Sequence, residues 1–269
     1  MSSFEATLKS DDFAGLCELV RRQCGVDLLQ YKRGQMERRV RTFAQRRCTP
    51  DLLAYGRRLK ADPEELDAFL DRVTINVSHL WRHEDQWTAL GDTILPELGR
   101  RGRVRCWSAG CSYGAEAFTL AAVAKAAGLG GTGSRVEIQG TDLDRRMVER
   151  ARAGRFTVED ARTAPQTLLR RWFVPADEGG WQAKPELMRM TRFDVGDLLR
   201  MPVQRARYDL IMYRNTVIYF TEDVRDALHA RLADALAPGG YLVVGTSERV
   251  ANATALGLMS PFHFIYRKS

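Results

Sequence analysis

The stretch Arg103–Ala124, RVRCWSAGCSYGAEAFTLAAVA, decides the fold. Its first residues suit a β-strand, and small residues and glycines follow. A long alanine-rich helical pattern comes next. A strand that breaks at glycines into a helix lets backbone come close to a ligand, and the helix start offers free N–H groups. The glycines here, Gly110 and Gly114, do not make the G-x-G-x-x-G that cradles a pyrophosphate. Taken alone, the stretch reads equally well as a plain strand-to-helix turn.

Three more short β-type runs lie downstream: Val136–Thr141 (VEIQGT), Tyr208–Tyr213 (YDLIMY) and Tyr241–Thr246 (YLVVGT). Helical patterns near Ala115–Ala127 and Glu222–Leu236 separate the first pair and the last pair. Pro238-Gly239-Gly240 reads as the stop of the second helix, and FHFIYRK near the C-terminus as a last strand. This alternation predicts an α/β fold with a Rossmann-like parallel sheet covered on both faces, binding its ligand beyond the strands' C-terminal ends. Between Phe156 and Leu198 the alternation lapses. There WQAKPEL and LMRMTRF read as short strands near a turn at Gly179-Gly180-Trp181, which predicts a small antiparallel β insertion over 157–197.

The N-terminal quarter reads as short helices. Asp11 and Asp12 can cap a helix with Phe13, Leu16, Cys17 and Val20 on one face, stopped by Gly25. Met36, Val40 and Phe43 form the stripe of a second helix. Thr49-Pro50 and Asp62-Pro63 read as caps with proline at the first helical position. The division expected is an all-helical basic domain over 1–76 and an α/β domain over 77–269.

Charge separates these parts. The chain of 269 residues carries +7 overall, and Tyr31–Lys60 alone carries +8, with ten Lys or Arg against Glu37 and Asp51. A patch of that kind suits an anionic partner or is simply a solvated helix face. No apolar run approaches the roughly 18 residues of a membrane span. The N-terminus has no signal-peptide pattern. Five cysteines without paired spacing read as reduced thiols, so a cytoplasmic location is expected. The four histidines sit in no ligand motif, which argues against a metal enzyme.

Asp142, just past the second strand in GTDLD, occupies the place where nucleoside cofactors have their ribose diol gripped. It or Asp144 could instead cap the helix over 143–153. A glycine turn after one strand and an acid after the next, with no diphosphate cradle, favour S-adenosylmethionine over a dinucleotide.

Six motifs then occur in order: TINVSHLWR, WSAGCSYGAEAFTLA, GTDLD, DVGDLL, YDLIMYRNTVIYF and LAPGGYLVVGTSE. Together they resemble the CheR family, the chemotaxis receptor glutamate O-methyltransferases, from about Phe13 to the C-terminus. The most specific is YRNTVIYF, close to that family's C-R-N-V-hydrophobic-I-Y-F. The resemblance implies S-adenosylmethionine as cofactor, S-adenosylhomocysteine as product and receptor glutamates as acceptors. It implies that Asn76, Ser78 and Arg82 contact cofactor and active site, with Gly110 in the turn beside them. It further implies Glu116 at the methionine end, Asp142 at the ribose, and Asp197 and Leu198 beside the adenine. Arg214 and Asn215 match the pair after the fourth strand, and Tyr219 the active-site tyrosine; Arg82 and Tyr219 would position the acceptor carboxylate.

The partner implied is the acidic helical methylation region of chemoreceptors, docked on Arg38 and Arg41. Capture of a receptor C-terminal peptide at the β insertion is left open. Nucleic-acid binding and membrane insertion are not expected.

The sequence departs from the family in several places. Tyr113-Gly114-Ala115-Glu116 replaces T-G-E-E, Leu80-Trp81 replaces Phe-Phe, Asp197 replaces Asn, and Thr246 replaces His in G-H-S-E. Two alternatives therefore stand beside receptor methylation: a cofactor-binding relative with weakened catalysis acting as an interaction module, and a nucleic-acid methyltransferase. The second lacks the N/D-P-P-Y/F-like turn after the fourth strand.

Overall fold

The computed structural model describes residues 11–73, 78–131, 133–176, 179–216 and 220–269. It divides into two compact units, Met1–Asn76 with Tyr219–Val224, and Val77–Ile218 with Arg225–Ser269.

The first unit contains helices Asp12–Cys24, Arg33–Arg46, Leu52–Ala61 and Pro63–Val73. The first starts at Asp11, whose carboxylate accepts from Ala14 N at 3.1 Å, and stops at left-handed Gly25. Thr49-Pro50 is not a cap, contrary to expectation. The third helix begins two residues later at Asp51, whose carboxylate accepts from Ala54 N at 2.7 Å. Aspartate at that position fills an orphan donor of the first turn directly. Asp62 caps the fourth helix as read, accepting from Glu64 N and Glu65 N. Tyr55 and Phe69 meet edge-on in the core, and half-buried Phe43 packs edge-on to Tyr55 and at a tilt to Phe69. Phe220 belongs to this unit, its ring packed at a tilt against Tyr31, 5.0 Å between ring centroids.

The second unit is built on a seven-stranded sheet. Its strands, with those of a smaller sheet, are β1 Arg103–Ala109, β2 Arg135–Asp142, β3 Arg155–Phe156, β4 Phe173–Pro175, β5 Trp181–Ala183, β6 Thr191–Val195, β7 Tyr208–Tyr213, β8 Leu236–Val244, β9 Leu258–Phe262 and β10 Ile265–Lys268. The large sheet runs β6-β2-β1-β7-β8-β10-β9, parallel from β6 to β8. The C-terminal strand read from the sequence is the second arm of an antiparallel hairpin, β9–β10. Pro238-Gly239-Gly240 lies within β8 rather than ahead of it.

The small sheet, β3-β5-β4, covers residues 155–183. LMRMTRF does not belong to it. Its Thr191–Phe193 part opens β6, which pairs in parallel with β2 at the edge of the large sheet. Thr191 and Phe193 are buried while Arg192 and Asp194 are exposed, an alternation that fits an edge strand of either sheet. Gly180 is required in the small sheet: at φ +88° a Cβ would stand 2.3 Å from the Phe156 carbonyl.

Helix Ala115–Ala126 is buried almost all round, from Ala115 to Ala124 except Glu116. Its small side chains let it lie close on β1 and β2. The expectation of two covered faces holds for only part of the sheet. The connection from β6 to β7, residues 196–207, contains no helix. It runs along helix Glu222–Ala235 instead: Arg231 Nη2 donates to the Met201 carbonyl at 2.5 Å, and Ala206 N to that of Asp234 at 2.9 Å. On the half-face of β6, β2 and β1 that a crossover helix would cover, the part toward the strand starts, around Arg103, Arg105, Glu137 and Arg192, is left open, while Trp107 and Thr141 nearer the strand ends are buried.

Candidate functional site

Five parallel strands end at one edge, and most of the residues singled out by sequence gather there. After β1 the chain turns at Gly110, φ +77°, where a Cβ would come within 2.9 Å of Thr216 Oγ1. Gly110 N and Cys111 N both donate to the Thr141 carbonyl, at 2.8 and 3.0 Å, which lashes this loop to the end of β2. Asp142 completes the lashing. Its Oδ2 accepts from Ser112 N at 2.7 Å and its Oδ1 from Asp144 N at 3.0 Å.

The choice between cap and ligand-binding acid is thereby resolved in part. Asp144 is the cap of helix Arg145–Ala153, accepting from Arg146 N and Met147 N. Asp142 holds loop backbone, and each of its oxygens keeps a lone pair for another donor. Burial pushes its pKa up to about 6, against the pull of the Asp144 and Ser112 amides. Asp197 is brought close by Gly196 N, which donates to the Asp142 carbonyl at 2.9 Å. The Asp197 carboxylate accepts from Leu199 N at 2.8 Å and pairs with Arg200 at 3.5 Å. Leu198 follows, partly buried.

Glu116 sits in the first turn of the helix after β1. Ser108 Oγ donates to its Oε1 at 2.7 Å, and Arg214 Nη1 lies 3.4 Å from its Oε2. Burial raises the Glu116 pKa, while Arg214 and Ser108 oppose the rise. Arg214 is held on two further sides. Its Nη2 donates to the Arg82 carbonyl at 2.5 Å, and its guanidinium lies 5.1 Å over the Trp87 ring. Trp87 Nε1 donates to the same Arg82 carbonyl at 2.9 Å.

The segment that carries Arg82 has an unusual backbone. Trp81 and His83, on either side of it, are both left-handed, at φ 56° and 62°. Trp81 N is held by Thr119 Oγ1 at 3.1 Å, and Leu80 by Asp160 and Thr163. The Ser78 carbonyl accepts from the Tyr113 hydroxyl. The tyrosine that departs from the family pattern is thus the anchor of this segment, with Arg150 stacked 3.9 Å over its ring.

Asn215 is left-handed, φ 60°. Its N–H donates to Glu248 Oε2 at 2.8 Å, and Gly245 N donates to the same oxygen at 2.7 Å. Glu248 is 3% exposed and joins the ends of β7 and β8. It is a residue that the sequence reading missed, although it stands in the quoted LAPGGYLVVGTSE. Its signal there was the final acid of the G-H-S-E pattern, kept in this sequence as Gly245-Thr246-Ser247-Glu248. Asn76 and Tyr219 lie outside the described residues. Arg38 and Arg41 lie on helix Arg33–Arg46 of the first unit.

The residues fit S-adenosylmethionine. A carboxylate with spare acceptor capacity follows β2, a largely enclosed acid and a buried arginine flank β1 and β7, and Ser112 Oγ and Arg214 Nε are buried with no hydrogen-bond partner. Among the described residues, no group of three or more His, Cys, Asp or Glu could hold a metal ion, and no helix is long and apolar enough to cross a membrane.

Comparison with known proteins agrees with this layout. Residues 76–261 match the family described as CheR methyltransferase, SAM binding domain, and residues 11–74 match CheR methyltransferase, all-alpha domain. The chain is 32% identical over 261 residues to the chemotaxis protein methyltransferase of Listeria innocua, covering 96% of this chain and 97% of that one. The Listeria monocytogenes protein of the same name matches equally, at 32% over 261 residues and the same coverage. The chemotaxis protein methyltransferase of Salmonella typhimurium is 28% identical over 91% of this chain and 86% of its own.

Proposed function

The chain belongs to the CheR methyltransferase family and uses S-adenosylmethionine; from that premise we propose that it methylates glutamate side chains in the acid-rich helical region of chemoreceptors. The observation that carries this reading is the meeting of Glu116, Asp142 and Arg214 at one sheet edge within the span of the family match.

The roles follow from chemistry. When bound, the cofactor supplies a methyl group on a cationic sulfur. Asp142 suits two vicinal hydroxyls, because each carboxylate oxygen has an acceptor site left over. Glu116 and Arg214 suit the amino and carboxylate groups of an amino acid. Asp197 accepts but cannot donate, so recognition of an adenine nitrogen beside it falls to backbone N–H groups or to Leu198 packing.

The acceptor glutamate needs no general base, since its carboxyl is ionised at neutral pH with an ordinary pKa of about 4.3. An anion and a cation become two neutral groups as methyl passes, so water, which solvates the ions best, slows the step. Excluding water and holding the groups in line is therefore the main task of the protein. Arg82 orients the acceptor carboxylate. Binding it too tightly would stabilise the ground state rather than the transition state. Tyr219 is assigned a share of this positioning.

Incubation with methyl-labelled cofactor and a receptor cytoplasmic fragment is expected to yield label released as methanol by mild base. Cofactor binding without base-labile label would point to the interaction-module reading instead.

Receptor docking is assigned to the basic helix Arg33–Arg46. Arg38 is exposed there. Arg41 is already engaged, with Asp12 at 2.7 Å and Glu37 at 2.8 Å. Arg38→Glu is therefore the cleaner probe. It is expected to lower receptor methylation at least tenfold with cofactor affinity unchanged, checked by initial rates and calorimetry. Arg41→Glu would in addition set three carboxylates together and loosen the helix pair.

A further inference from the structure

The half-face left open by the β6–β7 connection borders a groove of about 880 Å³. It lies across β1, β2 and β6, away from the strand ends where cofactor is assigned. Seven of its lining residues are Lys or Arg and three are Asp or Glu. The register sets these side chains in rows on one face: Arg103 beside Arg135, Arg105 beside Glu137, and Gln139 beside Arg192. Glu137 ties down Arg103 and Arg135, each at 2.7 Å. Arg105 also acts on Glu137 electrostatically, and among the described residues no carboxylate forms a close ion pair with Arg105, Arg189 or Arg192.

We propose that this open half-face docks an acid-rich helix of a partner protein, lying where a crossover helix would otherwise run. Three strands about 4.8 Å apart make a floor about 10 Å wide, which matches the diameter of a helix. The floor is charged, so an apolar helix would bury unpaired arginines at high cost. A compact polyanion such as a phosphate chain fits less well, because Glu137 stands in the middle of the cations. Separated cations around a central acid suit glutamates spaced along one helix face, at i, i+4 and i+7. The inference is independent of methyl transfer.

The test uses the full chain and a fluorescent alanine-rich peptide of about 14 residues, the length of a typical crossover helix, with glutamates on one face and a photo-crosslinker at its centre. Saturable binding that weakens as salt is raised is expected, with adducts in segments 103–105, 135–139 and 189–194. Arg105→Glu with Arg192→Glu should weaken binding at least tenfold and leave S-adenosylmethionine affinity unchanged. Should the double variant lose cofactor binding, Arg192→Glu at the exposed edge decides alone, with at least a threefold loss expected. The proposal is overturned by absence of saturable binding, by indifference to these reversals, or by adducts confined to helix Arg33–Arg46. It is equally overturned if tripolyphosphate or an oligonucleotide binds the groove more tightly than the peptide.

Discussion

Asp142→Ala is expected to weaken S-adenosylmethionine binding by about a hundredfold to ten-thousandfold, measured by calorimetry. Hydrogen bonds to a charged acceptor contribute about 1.5–3 kcal/mol each, and two hydroxyls of the ribose are assigned to this carboxylate. A factor of ten corresponds to about 1.4 kcal/mol. The same substitution frees Ser112 N and Asp144 N, which now hold the loop after β1 against β2. Asp142→Asn separates the two effects in part, because an amide oxygen can keep one of those bonds and its NH2 group cannot accept the other.

The protonation of Asp142 gives a second readout. Its carboxyl has a pKa of about 6 in the free protein, above the ordinary value of 3.8. The ionised form accepts from both hydroxyls, so affinity is full above pH 6 and falls as pH drops through it. The fall approaches about tenfold per pH unit. Asp142→Asn is expected to flatten that dependence. A wild-type affinity constant between pH 5 and 8 would remove Asp142 from the diol.

Glu248→Ala is expected to cost both stability and turnover. Loss of this buried carboxylate strips Asn215 N and Gly245 N of their shared acceptor. Buried donors left unsatisfied cost about 1–3 kcal/mol each. The melting temperature should fall by about 10 °C, taking about 3 °C per kcal/mol for a chain of this size. Asn215 is left-handed at φ 60° and needs that bond to stay so. Turnover at saturating cofactor should drop at least tenfold, because Arg214 precedes it directly. Glycine at 245 is what lets the carboxylate come this close, since a Cβ there would stand 2.6 Å from Glu248 Oε2. A melting point within 2 °C of wild type would show that water replaces the carboxylate and that the strand ends do not depend on it.

The strands of the large sheet were legible because they are short apolar runs between helical periods. β1, β2 and β7 needed no more than that. The β6 segment reads from sequence as part of the insertion, because the strand–helix alternation lapses there, and its pattern, Thr191 and Phe193 in, Arg192 and Asp194 out, suits either sheet's edge. Only the pairing with β2 decides between them. The open half-face was illegible for a related reason: alternation of strands and helices promises two covered faces, and the missing helix is an absence within a loop.

Asp142, Glu116 and Arg214 were legible through motifs placed at strand ends. Their supports were not. Tyr113 stands out in the sequence as a departure from a pattern, but that it anchors Ser78 depends on a contact 35 positions away in sequence. Trp87 holds Arg214 and Arg82 together through its ring face and its N–H at once. Neither function has a sequence period, because both arise where segments distant in the chain meet.

The pair of left-handed residues around Arg82 has a consequence for how fast the site can be used. Each such conformation costs on the order of 1–3 kcal/mol, and that cost is met once, when the chain folds around Thr119, Thr163 and Trp87. An arriving ligand finds a hook already bent. Ordering entropy that a slack loop would lose at every encounter is spent here before any encounter begins, and a glycine at position 81 or 83 should return that slack to the loop.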